Sequence, residues 1–269
     1  MILLAESAQA YCYTGGRPFD AERPTVVFIH GAQNDHSVWS QQTRYFAHHG
    51  YNVLAVDLPG HGRSKGAAKA SVEDMAGWLL AVLDAAGVER AMLVGHSMGS
   101  LVALEASYLA PQRVSGVAML GTTYPMKVSD ALLETSRSDE PAAIDMVNIF
   151  SHSMRAQNPS CPSAGVSTMG VSRRLMQRMS AINPQHLFHT DFTACNAYAN
   201  GEAAARALQC PTLFIVGSKD MMTPARSTKM LTSCVAHGKI VHVDAGHSLM
   251  SEQPGAVLDA LFAFAATSV

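Results

Sequence analysis

The chain has 269 residues, 48% of them hydrophobic and 15% charged, with a formal net charge of -2. That balance sets aside disorder, and the absence of a long Lys/Arg stripe leaves no basis for nucleic-acid binding. No apolar run approaches the roughly 20 residues that span a bilayer, because the most hydrophobic stretches carry a charge such as Asp84 or Asp259.

In chain order, the segments Ile2 to Glu6 and Gln9 to Tyr13 alternate like strands and lack the basic region of a secretory leader, so antiparallel edge strands are expected. Short β-rich apolar runs then recur at Thr25 to Ile29, Asn52 to Val56, Ala91 to Val94, Val114 to Leu120, Thr212 to Val216 and Ile240 to Val243. Helical patterns separate them. One begins at a capping-box-like Ser71 and Asp74, places Val72, Met75, Leu79, Val82 and Leu83 on one face, and stops at Gly87. This rhythm predicts an α/β fold with a mostly parallel central sheet covered by helices on both faces. It breaks between residues 122 and 206, where the sequence turns helical, polar and rich in methionine (Met126, Met146, Met154, Met169, Met176 and Met179). We read residues 1–121 and 207–269 as the core and 122–206 as a helical insertion, divided by a loop-like stretch from Asn158 to Gly170. A last helix is expected from near Pro254.

Five cysteines (Cys12, Cys161, Cys195, Cys210 and Cys234) are odd in number and form no CxxC pair. They read as free thiols of a reducing compartment, and a cytoplasmic location is expected. The twelve histidines contain no HxxxH or HExxH spacing, and the adjacent His48 and His49 read as the solvated end of a helix. Neither a metal nor a cofactor is expected.

The chemistry-bearing signal is Gly95-His96-Ser97-Met98-Gly99, directly between a predicted strand and a predicted helix that runs through Ala110. Small residues flanking a serine suit a turn tight enough to lift its hydroxyl above the sheet edge, with the positive helix end beneath it. Four further motifs follow a consistent order: His30-Gly31-Ala32-Gln33 after the first parallel strand; Asp57-Leu58-Pro59-Gly60-His61-Gly62-Arg63-Ser64 after the second; Gly217-Ser218-Lys219-Asp220-Met221-Met222-Thr223-Pro224; and Asp244-Ala245-Gly246-His247-Ser248 after the last strand.

Together these resemble the α/β-hydrolase fold family. The resemblance implies Ser97 as nucleophile, His247 as general base and Asp220 as the acid that orients it. It further implies the backbone N–H groups of Ala32 and Met98 as oxyanion donors, with Gln33 next in line. Asp244 competes with Asp220, and His242 is the poorer histidine because it sits within a strand pattern. Gly121-Thr122-Thr123, where some relatives carry the acid, offers no carboxylate. Asp57, Arg63 and His30 are expected to brace loops. His36, Trp39 and Met222 are expected at the substrate pocket, with Trp39 alternatively an anchor for the next helix.

The implied reaction is hydrolysis of a small or medium carboxylic ester through an acyl-enzyme, with a small-molecule partner, no nucleic acid and no membrane. Oligomeric state is not legible. An enol-lactonase or carbon-carbon hydrolase acting on an anionic substrate is the alternative. It calls for a cap arginine at the site, for which Arg155, Arg173, Arg174 and Arg178 are available, although the last three also read as a solvated helix face. A non-catalytic binding module on the same fold is the remaining reading.

Overall fold

In the computed structural model of the chain, residues 1–236 and 238–268 are described. A hairpin opens it: β1 (Ile2–Ala5) and β2 (Ala8–Tyr13) pair antiparallel with Ala5 opposite Ala8. The two turn residues, Glu6 and Ser7, both take positive φ, 47° and 65°. That is the turn geometry whose twist matches a two-residue hairpin.

β2 runs antiparallel to β4 (Asn52–Val56). From there β4, β3 (Thr25–Ile29), β5 (Ala91–His96), β6 (Val114–Leu120), β7 (Thr212–Gly217) and β8 (Gly238–Val243) are parallel. Among the described residues they form one eight-stranded sheet in the order β1-β2-β4-β3-β5-β6-β7-β8. Every residue of β3 to β7 is buried, as continuous apolar runs in a two-sided parallel sheet require. At the edge, β8 buries only Val243, which is why the sequence pattern placed its start two residues late.

Alternate residues face opposite layers. Val27, Ile29, Leu54 and Val56 pack beneath α2 (Val72–Ala85) and α3 (Met98–Leu109). Their neighbours Val26, Phe28, Val53 and Ala55 pack against α1 (Ser40–His48) and the terminal α11 (Pro254–Ser268). The start of α2 is capped as its sequence predicts, with the Asp74 backbone N–H donating to the Ser71 hydroxyl at 3.1 Å.

Between β6 and β7 run α4 (Asp130–Ser138), α5 (Glu140–Ser151), α6 (Thr168–Ile182), α7 (Leu187–Ala197) and α8 (Gly201–Arg206). Leu132, Ala143, Ile144, Met176, Phe188 and Phe192 form a small core of their own. The packing changes from the end of α7 onward: Ala194, Cys195, Tyr198, and Ala204 and Ala205 of α8 join the main core, and Tyr198 donates to the buried carboxylate of Glu105 on α3 at 2.7 Å. The predicted 158–170 loop yields to α6 at Thr168, where the Ser167 side chain accepts from the Gly170 N–H at 3.0 Å. The sheet then closes with α9 (Lys229–Cys234) and α10 (Leu249–Glu252) flanking β8.

Phe28 is fully buried and packs edge-on to Phe46 and tilted against Trp39, with ring centroids 5.5 and 5.4 Å away. Phe28→Ala is expected to cost about 3–5 kcal/mol, read as a lower urea midpoint at unchanged slope.

Candidate active site

Ser97 is the single residue between β5 and α3, with φ 52° and ψ -120°. A non-glycine residue held there stores on the order of 1–3 kcal/mol of strain, so its surroundings must over-determine it. They do. The Ser97 N–H donates to Leu120 O at 2.9 Å, and Ser97 O accepts from the Ser100 N–H at 2.9 Å. A Cβ at Gly95 would stand 2.1 Å from Gly99 O, and one at Gly99 would stand 2.4 Å from Ile29 O, so both glycines are required by contact of backbone on backbone.

His247 lies on the loop after β8. Its Nδ1 donates to Asp220 Oδ2 at 2.8 Å, which leaves Nε2 as the nitrogen with a free lone pair. Asp220 Oδ1 accepts from the backbone N–H groups of Met222 (2.8 Å) and Thr223 (2.7 Å), and Oδ2 accepts from Thr223 Oγ1 (2.7 Å). Burial alone would raise this carboxyl, but the facing His247 and the Thr223 bonds prevail and hold its pKa down at about 2. The loop is pinned on both sides: His96 Nε2 donates to His247 O at 2.9 Å, and Glu252 Oε1 accepts from the Gly246 N–H at 3.2 Å.

The loop after β3 passes close to Ser97, since a Cβ at Gly31 would lie 3.2 Å from the Ser97 Cβ. His30 braces this loop as expected. It donates from Nδ1 to Gly31 O (2.8 Å) and accepts at Nε2 from the Leu58 N–H (3.1 Å). Among the described residues, neither the Ala32 nor the Met98 N–H has a protein acceptor. Gln33 takes φ 56°, and its N–H turns away to Asp191 Oδ2 at 2.8 Å.

Ser97, His247, Ala32 and Met222 all line one cavity of about 360 Å³. Its apolar wall includes Val147, Leu175, Met176, Phe188 and Phe192 from the segment between β6 and β7, and Met250 from α10. Among the described residues, no Asp, Glu, Lys or Arg lines it.

Two expected pocket residues lie elsewhere. His36 is held outside the cavity by Asp57 Oδ1, which accepts from its Nδ1 at 2.7 Å and its N–H at 2.8 Å, and its ring packs near Tyr11 and Tyr13. Trp39 is fully buried against Phe28 and serves as the anchor before α1. Their partners, Asp57 for His36 and Phe28 for Trp39, lie in other segments of the chain and left no local signal. Of the six methionines between residues 122 and 206, only Met176 lines the cavity; Met179 is buried elsewhere and Met154 is 90% exposed.

The four arginines also lie off the cavity wall. Arg173 pairs with Asp145 at 2.5 Å and Arg178 with Asp35, while Arg155 and Arg174 are exposed. Asp244 is exposed and pairs with Lys219 at 2.8 Å, so it does not reach the imidazole, and His242 is exposed on β8. Asp57 braces its loop, with Oδ2 accepting from the Arg63 N–H at 2.8 Å. Asp35, His36 and Asp57 stand close enough to share a cation, but all four carboxylate oxygens already accept from Ser37, Arg178, His36 or Arg63.

Sequence reasoning missed Thr223, Glu252, His61 and Asp191. Thr223 was within reach, because an Asp followed three residues later by Thr favours side-chain bonds to the local backbone. Asp191 carried no such signal, since it meets Gln33 across 158 residues of chain.

Comparison with known proteins agrees with this architecture. The family described as alpha/beta hydrolase fold matches residues 24–254. The chain is 25% identical over 232 residues to (E)-2-((N-methylformamido)methylene)succinate hydrolase of Acinetobacter baylyi, covering 83% of this chain and 82% of that protein. It is 26% identical over 239 residues to the putative carbamate hydrolase RutD of Klebsiella pneumoniae, covering 83% and 84%. The crystal structure of the enol-lactonase from Burkholderia xenovorans superposes with a TM-score of 0.87 at 19% identity over 99% of this chain and 100% of that one, a likeness of fold. With its parallel sheet, its helices on both faces and a match over most of its length, this chain belongs to the alpha/beta hydrolase fold family.

Proposed function

We propose that this hydrolase cleaves an uncharged carboxylic ester of small or medium size through an acyl-enzyme. Ser97 is the nucleophile, His247 the base, Asp220 the orienting acid, and Ala32 and Met98 supply the oxyanion N–H groups. The observation that carries this reading is the His247–Asp220 pair, bonded at 2.8 Å, sharing one cavity with a serine held at positive φ.

His247 Nε2 takes the Ser97 proton as Oγ bonds to the carbonyl carbon, and the resulting oxyanion is met by two amide donors at the positive end of α3. Collapse expels the alcohol, which receives the proton from His247. Water then attacks the acyl-enzyme with His247 again as base, and the acid product leaves. Asp220, held ionised by its Thr223 bonds, stabilises the imidazolium in both steps.

The segment 122–206 acts as a cap whose Leu175, Met176, Phe188 and Phe192 form the acyl wall, opposite Met222. An enol-lactonase or carbon-carbon hydrolase would use the same triad. Against an anionic substrate, such as the succinate named for the Acinetobacter relative, stands the wall itself: it offers a carboxylate no cation, and desolvating one unpaired is costly. Five free thiols support a reducing, cytoplasmic setting.

Four outcomes are expected. Ser97→Ala abolishes turnover of a chromogenic short-chain ester, whereas a wild-type protein inert to esters and organophosphates would make this a binding module. Asp220→Asn lowers kcat by roughly 10⁴, while Asp244→Asn stays within about twofold, being an exposed ion pair. A p-nitrophenyl ester ending in a methyl group exceeds its ω-carboxylate counterpart in kcat/KM by about 100-fold, the scale of an unpaired buried charge; equal rates would remove the claim of an uncharged substrate.

The fourth concerns acid stability. Because the Asp220 carboxyl is depressed from 3.8 to about 2 in the folded protein, its stabilising contribution is complete above 3.8 and lost as pH falls toward 2. Urea midpoints of wild type and Asp220→Asn should therefore converge across that window. A constant gap would show that the carboxylate is not preferentially ionised in the fold.

A further inference from the structure

Resting on the oxyanion assignment above, we infer that Asp191 is a positioning residue: carried in by α7, it sets the orientation of the peptide groups on both sides of Ala32, and so aims the Ala32 N–H at the reacting oxygen.

A trans peptide unit is rigid, so fixing its carbonyl fixes its N–H. The first unit joins Gly31 C=O to Ala32 N–H, and its oxygen accepts from His30 Nδ1 at 2.8 Å. The second joins Ala32 C=O to Gln33 N–H. Its oxygen accepts from Asn34 Nδ2 at 2.8 Å, and its N–H donates to Asp191 Oδ2 at 2.8 Å. Ala32 thus sits between two pinned planes.

Asp191 governs the second plane directly and the first through two histidines. Its Oδ2 also accepts from His61 Nε2 at 2.9 Å, while His61 Nδ1 lies 3.1 Å from Pro59 O. Both partners are acceptors, so both ring nitrogens carry protons and His61 is an imidazolium. Burial opposes that charge, but Asp191 outweighs it and raises the His61 pKa, with Asp57 adding to the effect. The cationic ring lies against His30, centroids 4.8 Å apart. His30 must stay neutral to accept from Leu58, and burial followed by the charge of His61 lowers its pKa to about 4. The charge on His61 therefore helps keep His30 neutral, and the Leu58 N–H at Nε2 leaves the proton of that neutral ring on Nδ1, facing the Gly31 carbonyl.

Packing alone gives no reason for this arrangement. The Asp191 side chain is fully buried, and among the described residues its Oδ1 has no partner, a poor way to gain stability. The adjoining Gln33 side chain is gripped as well, with Nε2 within 3.0 Å of Glu140 Oε1 and 2.9 Å of Ser180 Oγ. Helices α5, α6 and α7 all converge on this one loop residue, so the oxyanion peptide acquires its geometry when the insertion is seated.

Three measurements test this. In ¹⁵N-histidine NMR of the wild-type protein at neutral pH, His61 is expected with both nitrogens protonated and His30 with a proton on Nδ1 only; a neutral His61 overturns the inference. In Asp191→Asn, kcat for a neutral ester should fall by at least about tenfold with KM nearly unchanged, and the Ki of an alkyl trifluoromethyl ketone, which forms an oxyanion on Ser97, should rise in proportion. Asn196→Ala removes the α7 side chain that accepts from the Val128 N–H at 3.2 Å without touching this network, and should change neither. If Asp191→Asn does not fold, His61→Gln, which keeps a donor near Asp191 but removes the charge, should show the same split. A folded Asp191→Asn or His61→Gln with wild-type kcat and Ki sinks the inference. Ser97→Ala separates the two claims: a wild type that turns over by way of Ser97, beside an equally active Asp191 variant, leaves the triad standing.

Discussion

Holding one serine at φ 52° between a strand and a helix is the constraint on which the rest of this molecule is arranged. The conformation is unfavourable by itself, and it persists because β5 is buried along its length, α3 is buried from Met98 to Ser107, and no other residue joins them. Backbone must therefore touch backbone on both sides of the turn, which excludes any side chain at Gly95 and Gly99. The same geometry directs the start of α3 toward the cavity. Sheet, helix and site are in this sense a single structural unit.

Two buried carboxylates each hold a histidine and a loop backbone near the turn, and they differ in how fully they are satisfied. Asp220 is saturated with donors, from two backbone amides, a hydroxyl and an imidazole, and stays ionised in spite of burial. Among the described residues Asp191 bonds through one oxygen, which accepts from a backbone amide and a histidine. Both carboxylates accept a hydrogen bond from a histidine ring nitrogen. One histidine lines the cavity; the other stands behind the loop that borders it.

The cavity wall completes the chemistry by what it is made of. Apolar residues from between β6 and β7 line the cavity together with small polar groups, while Arg173 and Arg178 of α6 pair with Asp145 and Asp35. On the proposed reading, a wall of this kind favours an uncharged acyl group by desolvation, leaves discrimination to shape, and makes residues outside the motifs the source of selectivity.

Much of this was legible in the chain before any coordinates. The parallel strands followed from short apolar runs, because a two-sided parallel sheet needs uninterrupted hydrophobic segments, and the solvated edge strand β8 blurred its own start by two residues. Ser97, Asp220 and His247 stood out because each lies at a strand's carboxyl end within a local motif, and local motifs are written in adjacent residues. His36 and Trp39 misled for the same reason: their neighbourhood in sequence resembled a pocket rim, while Asp57 and Phe28, brought in from other strands, drew them away. What the tertiary structure alone decided was every relation between distant segments: the meeting of Asp191 with Gln33 and His61, the pairing of Arg173 and Arg178 with Asp145 and Asp35, and the passage of α7 from a small core of its own into the main one. Such contacts depend on how helices pack over the sheet, and packing leaves no periodic trace in the order of residues.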